Sequence, residues 1–206
     1  MGASYEKSVF INCPFDSTFE PLFHAIVLTV AARGFKPRCA RETEGRAETR
    51  ISRIARGILE AKYSIHDLSR YQGEGADNLS RFNMPLELGI ALGIQYLGDI
   101  EQRTSGNKHI WVALVPANSL DRKFISDLGG YDHRGHDQQP VNVIKAVASW
   151  LSLQPDSLLK PSPRAIFEAY PGFCKLLAQA RAEALGDLTW PTITDAAEAV
   201  IATMPL

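Results

Sequence analysis

The stretch SVFINCPFDSTFEPLFHAIVLTVAARGFKPRC, running from Ser8 to Cys39, decides the fold. Ser8 to Cys13 is β-branched and aromatic and is closed by Pro14, which reads as a first strand. Asp16 or Ser17 is suited to cap a following helix, and Glu20, three residues after Ser17, completes a capping-box pattern. Phe19, Leu22, Phe23, Ile26, Val27 and Val30 then recur at helical spacing until Gly34. Phe35 to Cys39 reads as a second strand. A strand, a helix and a strand in this order predict a parallel pair joined by a crossover.

The same alternation continues outward. Thr49 to Glu60 places Ile51, Ile54, Ala55 and Ile58 on one helical face, and Lys62 to Leu68 forms a third strand. Ser69 to Arg81 is polar and Gly-rich and reads as a loop. From Met84 a helix follows that is apolar on nearly every face, which predicts burial. His109 to Val115 is a continuous apolar run ended by Pro116, as expected of a buried parallel strand. The order predicts an α/β fold, a parallel sheet of about four to five strands with helices on both faces. Beyond residue 120 the pattern changes: Phe124 to Asp137 reads as an irregular loop, and Val141–Leu153, 164–185 and 192–203 read as helices. Pro155, Pro161 and Pro163 mark a connector. We therefore expect an α/β domain over 1–120 and, over 121–206, an irregular loop plus a helical C-terminal extension packed on it.

Composition narrows the function classes. Hydrophobic residues make up 45% and charged residues 22%, far from disorder. No run of 18 apolar residues predicts a membrane span, and no signal peptide is visible before the first strand. Three cysteines without metal-ligand spacing fit a reducing, cytoplasmic setting. With 22 basic and 23 acidic residues the net charge is −1, which argues against broad capture of nucleic acid. The arginine-rich stretch 33–56 is interleaved with Glu42, Glu44 and Glu48 and reads as a solvated face. There is no GxGxxG, Walker loop, GxSxG elbow or HExxH.

Ligands of open parallel sheets bind beyond the C-terminal strand ends. That edge collects Asn12, Cys13 and Asp16 after the first strand, Arg38 and Arg41 after the second, and His66, Asp67, Ser69 and Arg70 after the third. Arg70 and Arg81 flank the loop and are suited to phosphate, and Asn83 stands at the start of the apolar helix. Glu87 is the only charged residue between Arg81 and Asp99. With Asn83 as N-cap it would sit in the first turn, either bonded to free backbone N–H groups or kept ionised for chemistry. Adjacent strand residues point to opposite sides, so His66 and Asp67 share a pocket only if the strand has ended. Asp132, His133, His136 and Asp137 carry metal-binding atoms, but Gly129, Gly130 and Gly135 argue for a loop, and no metal or other cofactor is expected.

The segment Asn83-Met84-Pro85-Leu86-Glu87-Leu88-Gly89-Ile90-Ala91-Leu92 resembles the helix start of nucleoside 2-deoxyribosyltransferases, and the arrangement is similar to that of TIR domains. Together with Ile65-His66-Asp67-Leu68-Ser69-Arg70, the run also resembles a group of bacterial proteins of that superfamily. The resemblance covers about residues 8 to 116. It implies a flavodoxin-like fold and N-glycosidic bond cleavage or transfer on a nucleoside, nucleotide or NAD, with Glu87 as nucleophile. The helper aspartate of the deoxyribosyltransferases aligns with about Lys62, so Asp67 is the candidate substitute; the Trp-Cys pair common before the TIR glutamate is Phe82-Asn83-Met84 here. The alternative it implies is a non-catalytic nucleotide-binding or TIR-like interaction module. A third reading, independent of the resemblance, is a homo-oligomer formed through residues 161–206 with the α/β part as scaffold.

Overall fold

The computed structural model describes residues 3–43, 45, 47–70, 82–101, 108–116 and 125–205. A short helix α1 (Ala3–Glu6) leads into β1 (Ser8–Asn12), followed by α2 (Glu20–Ala32), β2 (Lys36–Arg38), α3 (Arg50–Leu59) and β3 (Tyr63–Asp67). Next come α4 (Asn83–Glu101), β4 (Ile110–Pro116), a 3-10 turn at Ser126–Gly130 and β5 (Arg134–His136). The chain ends in α5 (Pro140–Leu151), α6 (Pro163–Ala184) and α7 (Trp190–Ile201). The five strands pair in parallel in the order β2-β1-β3-β4-β5, the flavodoxin-like α/β arrangement. The order reverses between β1 and β3, so a crevice is expected beyond their C-terminal ends.

Register assigns the faces. Val9 lies beside Tyr63, Ile11 beside Ile65, and Ile65 beside Val112. These residues and Leu114 face one layer built from α2, α5, α6 and α7. Phe10 and Ala113, one residue out of phase, face α3 and α4 through Ile54, Ile58, Met84, Leu88 and Ala91. Tyr170 donates to the Pro21 carbonyl at 2.8 Å, and Trp190 packs 6.1 Å from the Phe23 ring, so the C-terminal helices close over α2. Arg33 is buried and donates to the carbonyls of Leu158 and Leu159, at 2.9 and 2.7 Å, holding the proline connector against the end of α2.

Several expectations are corrected. The segment read as an irregular loop contains the fifth strand: Leu114 lies beside Arg134 and Pro116 beside His136. Three residues, Arg134-Gly135-His136, are too few to carry an alternating pattern; the free edge of β4 selects them. Helix α4 is buried on one side only, with Leu86 62% and Leu97 61% exposed. An all-round apolar pattern has no phase, so packing alone chooses its inner face. The capping box at Ser17 is not formed: Phe19 is the N-cap of α2, and Asp16 Oδ1 instead accepts from the Phe19 N–H at 3.0 Å. Ile51, expected inward on α3, is exposed, while Ile54 and Ile58 are buried. Among the described residues no helix is long and apolar enough to cross a membrane.

Candidate functional site

Glu87 is 1% exposed, and its Oε1 accepts from Arg50 Nη1 at 2.6 Å. Arg50 is the first residue of α3, directly after the N-cap Thr49, whose hydroxyl accepts from the Ser52 N–H at 3.2 Å. The ion pair therefore ties the start of α3 to α4 across the C-terminal edge of the sheet. Oε2 of Glu87 is buried and, among the described residues, accepts no hydrogen bond of good geometry, with the Asn12 amide the polar group that approaches the carboxylate. Burial pushes the Glu87 carboxyl above its ordinary range, opposed first by the Arg50 charge and then by the nearby Asn12 amide. The helix end contributes little. Leu86 N–H bonds back to the Phe82 carbonyl at 3.2 Å, which makes Phe82 the N-cap and places exposed Asn83 as the first helical residue. Glu87 consequently lies in the second turn rather than the first, past the strongest influence of the macrodipole.

Behind Asn12 runs a buried polar chain whose protons can be assigned. His109 Nδ1 can only donate to the Ala61 carbonyl, 3.0 Å away, so its Nε2 accepts from Ser64 Oγ at 2.8 Å. Ser64 in turn accepts from His66 Nε2 at 2.9 Å, leaving His66 Nδ1 to accept from the Asn12 amide at 3.1 Å. Every donor points the same way, and both rings are neutral. Burial holds His66 at about 3 and His109 at about 4, with His109 further lowering His66. The chain fixes the Asn12 amide with its nitrogen toward His66.

His66 and Asp67 do not share a pocket. Both lie within β3, and alternation sends Asp67 to the face of Tyr63 and Ile65, away from Asn12 and α4. Asp67 is fully buried; Oδ1 accepts from the Ser69 N–H at 2.9 Å and from the Ser69 hydroxyl, and Oδ2 accepts from His136 Nε2 at 3.0 Å. His136 Nδ1 accepts from the Gln138 N–H at 3.1 Å, which fixes its tautomer. Ser69 thus serves the Asp67 turn. Lys62, where the resemblance would put a helper aspartate, pairs with Glu6 at 2.5 Å beside the opposite end of the sheet.

Asp16 and Arg70 join the loops after β1 and β3 through a 2.8 Å ion pair, and Arg70 also donates to the Thr18 hydroxyl. Cys13 is fully buried, and burial raises its thiol well above the usual range, so it is not a thiolate nucleophile. Arg81 lies outside the described residues, as do Glu44 and Arg46.

Beyond Arg50 opens a cavity of 790 Å³, whose lining includes Pro14, Asp16 and Glu20 together with Arg41, Arg50 and Arg53. The last residues of α6 and its following turn, Arg181 and Leu185 to Asp187, close the rim. Of the two arginines expected beyond the second strand, Arg41 lines this cavity while Arg38 pairs with Glu42 and Glu60; sequence reading missed Arg53 and the roles of Arg50, Ser64 and His109. Nothing in spacing separates Arg50 from its neighbours Arg53 and Arg56; only the fold brings α3 against α4. Among the described residues no group of three or more His, Cys, Asp or Glu side chains is arranged to hold a metal ion. No protein-family model, curated protein or solved structure matches the chain.

Proposed function

We propose that this protein cleaves or transfers an N-glycosidic bond of a nucleoside, nucleotide or NAD, with Glu87 as the nucleophile. The observation that carries the reading is the split environment of one buried carboxylate: Oε1 is held by Arg50 while Oε2 accepts no hydrogen bond of good geometry among the described residues. A carboxylate oriented by Arg50 through one oxygen, with the Asn12 amide close by, is suited to attack a sugar carbon through the other. In the reaction Oε2 forms a bond to the anomeric carbon as the carbon–nitrogen bond breaks. The bonding pair leaves with the base: a purine or pyrimidine takes a proton from solvent, whereas the nicotinamide of NAD leaves neutral and needs none. Water, or a second base, then displaces Glu87 from the glycosyl ester. Asn12, positioned by the His66–Ser64–His109 chain, favours the ionised carboxylate.

The test incubates the full chain with NAD, deoxynucleosides and nucleotides and separates products by chromatography. Base release by the wild type and none by Glu87→Gln is expected; no turnover of any member of the panel would overturn the reading. One observation favours a rival, a nucleotide-binding module without turnover: Glu87 is 1% exposed and closed against Arg50, the arrangement of a structural ion pair. Ligand-dependent thermal stabilisation without base release would establish that version.

A further inference from the structure

The arginine lining of the 790 Å³ cavity has an uneven charge balance. Arg181 is neutralised by Glu20, with bonds of 3.0 and 2.5 Å, and Arg50 by Glu87. Asp16 is paired with Arg70. Arg41 and Arg53 are different. Arg41 Nη2 donates to the Leu188 carbonyl at 2.7 Å, and Arg53 Nη1 donates to the Thr43 carbonyl at 3.1 Å. Each guanidinium is anchored by main-chain oxygen and makes no ion pair among the described residues, although Arg41 lies within electrostatic reach of Glu20, and Arg53 Nε is buried without an acceptor. A carbonyl orients a guanidinium without cancelling its charge. Two oriented forks lining the same cavity suit the oxygens of a phosphate.

We propose that this cavity binds the phosphate of a nucleoside 5′-phosphate through Arg41 and Arg53. Arg50 connects the two halves of the site, since it lines the same cavity and bonds Glu87. A phosphate on Arg41 and Arg53 leaves the sugar to extend past Arg50 toward the carboxylate. The phosphate site stands on the arginines alone, whereas placing the sugar at Glu87 rests on the N-glycosidic reading above. Three carboxylates line the cavity; Asp16 and Glu20 are paired with Arg70 and Arg181, and Asp187, exposed on the rim without an ion pair among the described residues, opposes an incoming anion.

Isothermal titration calorimetry on the full chain tests the assignment with three probes: 2′-deoxynucleosides, their 5′-monophosphates and inorganic phosphate. At least one monophosphate is expected to bind about tenfold or more tighter than its nucleoside, the discrimination expected of charge-assisted bonds. Arg53→Gln should bring the monophosphate down to the affinity of the nucleoside. Asp187→Asn should strengthen monophosphate binding and leave nucleoside binding unchanged, a selective gain that a structural role would not produce. Circular dichroism and melting of each variant separate folding from binding. Equal affinities for nucleoside and monophosphate, no monophosphate binding, or an unaffected Arg53→Gln would overturn the proposal. Inorganic phosphate binding as tightly as every monophosphate would also overturn it, by showing an anion site that ignores the nucleoside. Tight, Arg53-dependent monophosphate binding without base release would sustain the phosphate site while ending the N-glycosidic reading.

Discussion

Arg50 Nη1 and Glu87 Oε1 are 2.6 Å apart, joining a half-exposed guanidinium at the start of α3 to a buried carboxylate on α4. The pair is lopsided: Arg50 keeps its hydration, while Glu87 loses nearly all of its own. The desolvation of Glu87 outweighs the attraction, which is why its carboxyl is raised rather than lowered.

A carboxylate whose folded-state value is raised destabilises the fold when ionised, and that penalty vanishes as pH falls below the unfolded value of about 4.3. Glu87→Gln keeps an acceptor for Arg50 and removes the buried charge. We expect the variant to melt at or above the wild-type temperature at pH 7.5, with the difference shrinking toward pH 4. A markedly lower melting point at pH 7.5 would mean that the charge itself holds α3 to α4.

The ionised form of Glu87 is the nucleophile in the proposed reaction, so its rate should rise with pH through the raised value. The acid limb of the rate profile should lie above the ordinary glutamate range. Arg50→Gln removes the largest contribution that lowers Glu87 and should move the limb to still higher pH. A limb that stays in place would dissociate the limb from this carboxylate.

His24, held at about 4 by burial, joins His66 and His109 as imidazoles that stay neutral in the fold. In the unfolded chain each takes up a proton near pH 6.5. Their folded values are depressed, so the stability they contribute is present above about 6.5 and declines as pH falls toward 4. Each contributes a slope of up to about 1.4 kcal/mol per pH unit. Denaturant melts from pH 7 to 4 should show this loss. Ser64→Ala orphans His66 Nε2–H and should cost about 1–3 kcal/mol at pH 7.

At Gly57 two effects compete. A Cβ there would lie 2.2 Å from Phe10 Cε2 and 2.6 Å from Cδ2 of a ring buried in the sheet. Helix propensity favours alanine over glycine by about 1 kcal/mol, whereas overpacking costs about 1–3 kcal/mol and more when a buried ring must move. Gly57→Ala should therefore destabilise the protein in chemical denaturation. Phe10→Leu in the same background should recover part of the loss.

The alternation of strands and helices that makes a parallel α/β sheet was legible between residues 8 and 116 because strand runs such as Ser8–Asn12 and Tyr63–Asp67 and the stripe of α2 declare themselves locally; the flavodoxin-like expectation came from the resemblance, and the strand order from the fold. Local chemistry also placed Asn12, His66 and Asp67 at strand ends and singled out Glu87 as a charge inside an apolar helix. The sequence alone determined that a carboxylate would lie against this sheet edge. Tertiary structure decided the rest. Strand parity separated Asp67 from His66, and the edge of β4 made a strand of Arg134-Gly135-His136. Layer packing exposed Leu86 and buried Glu87, and the approach of α3 to α4 brought Arg50 to it across 37 residues of chain. Secondary structure follows from neighbours three or four positions away, which a sequence displays. A hydrogen bond between distant elements depends on which faces the core has already claimed, and no local pattern records that.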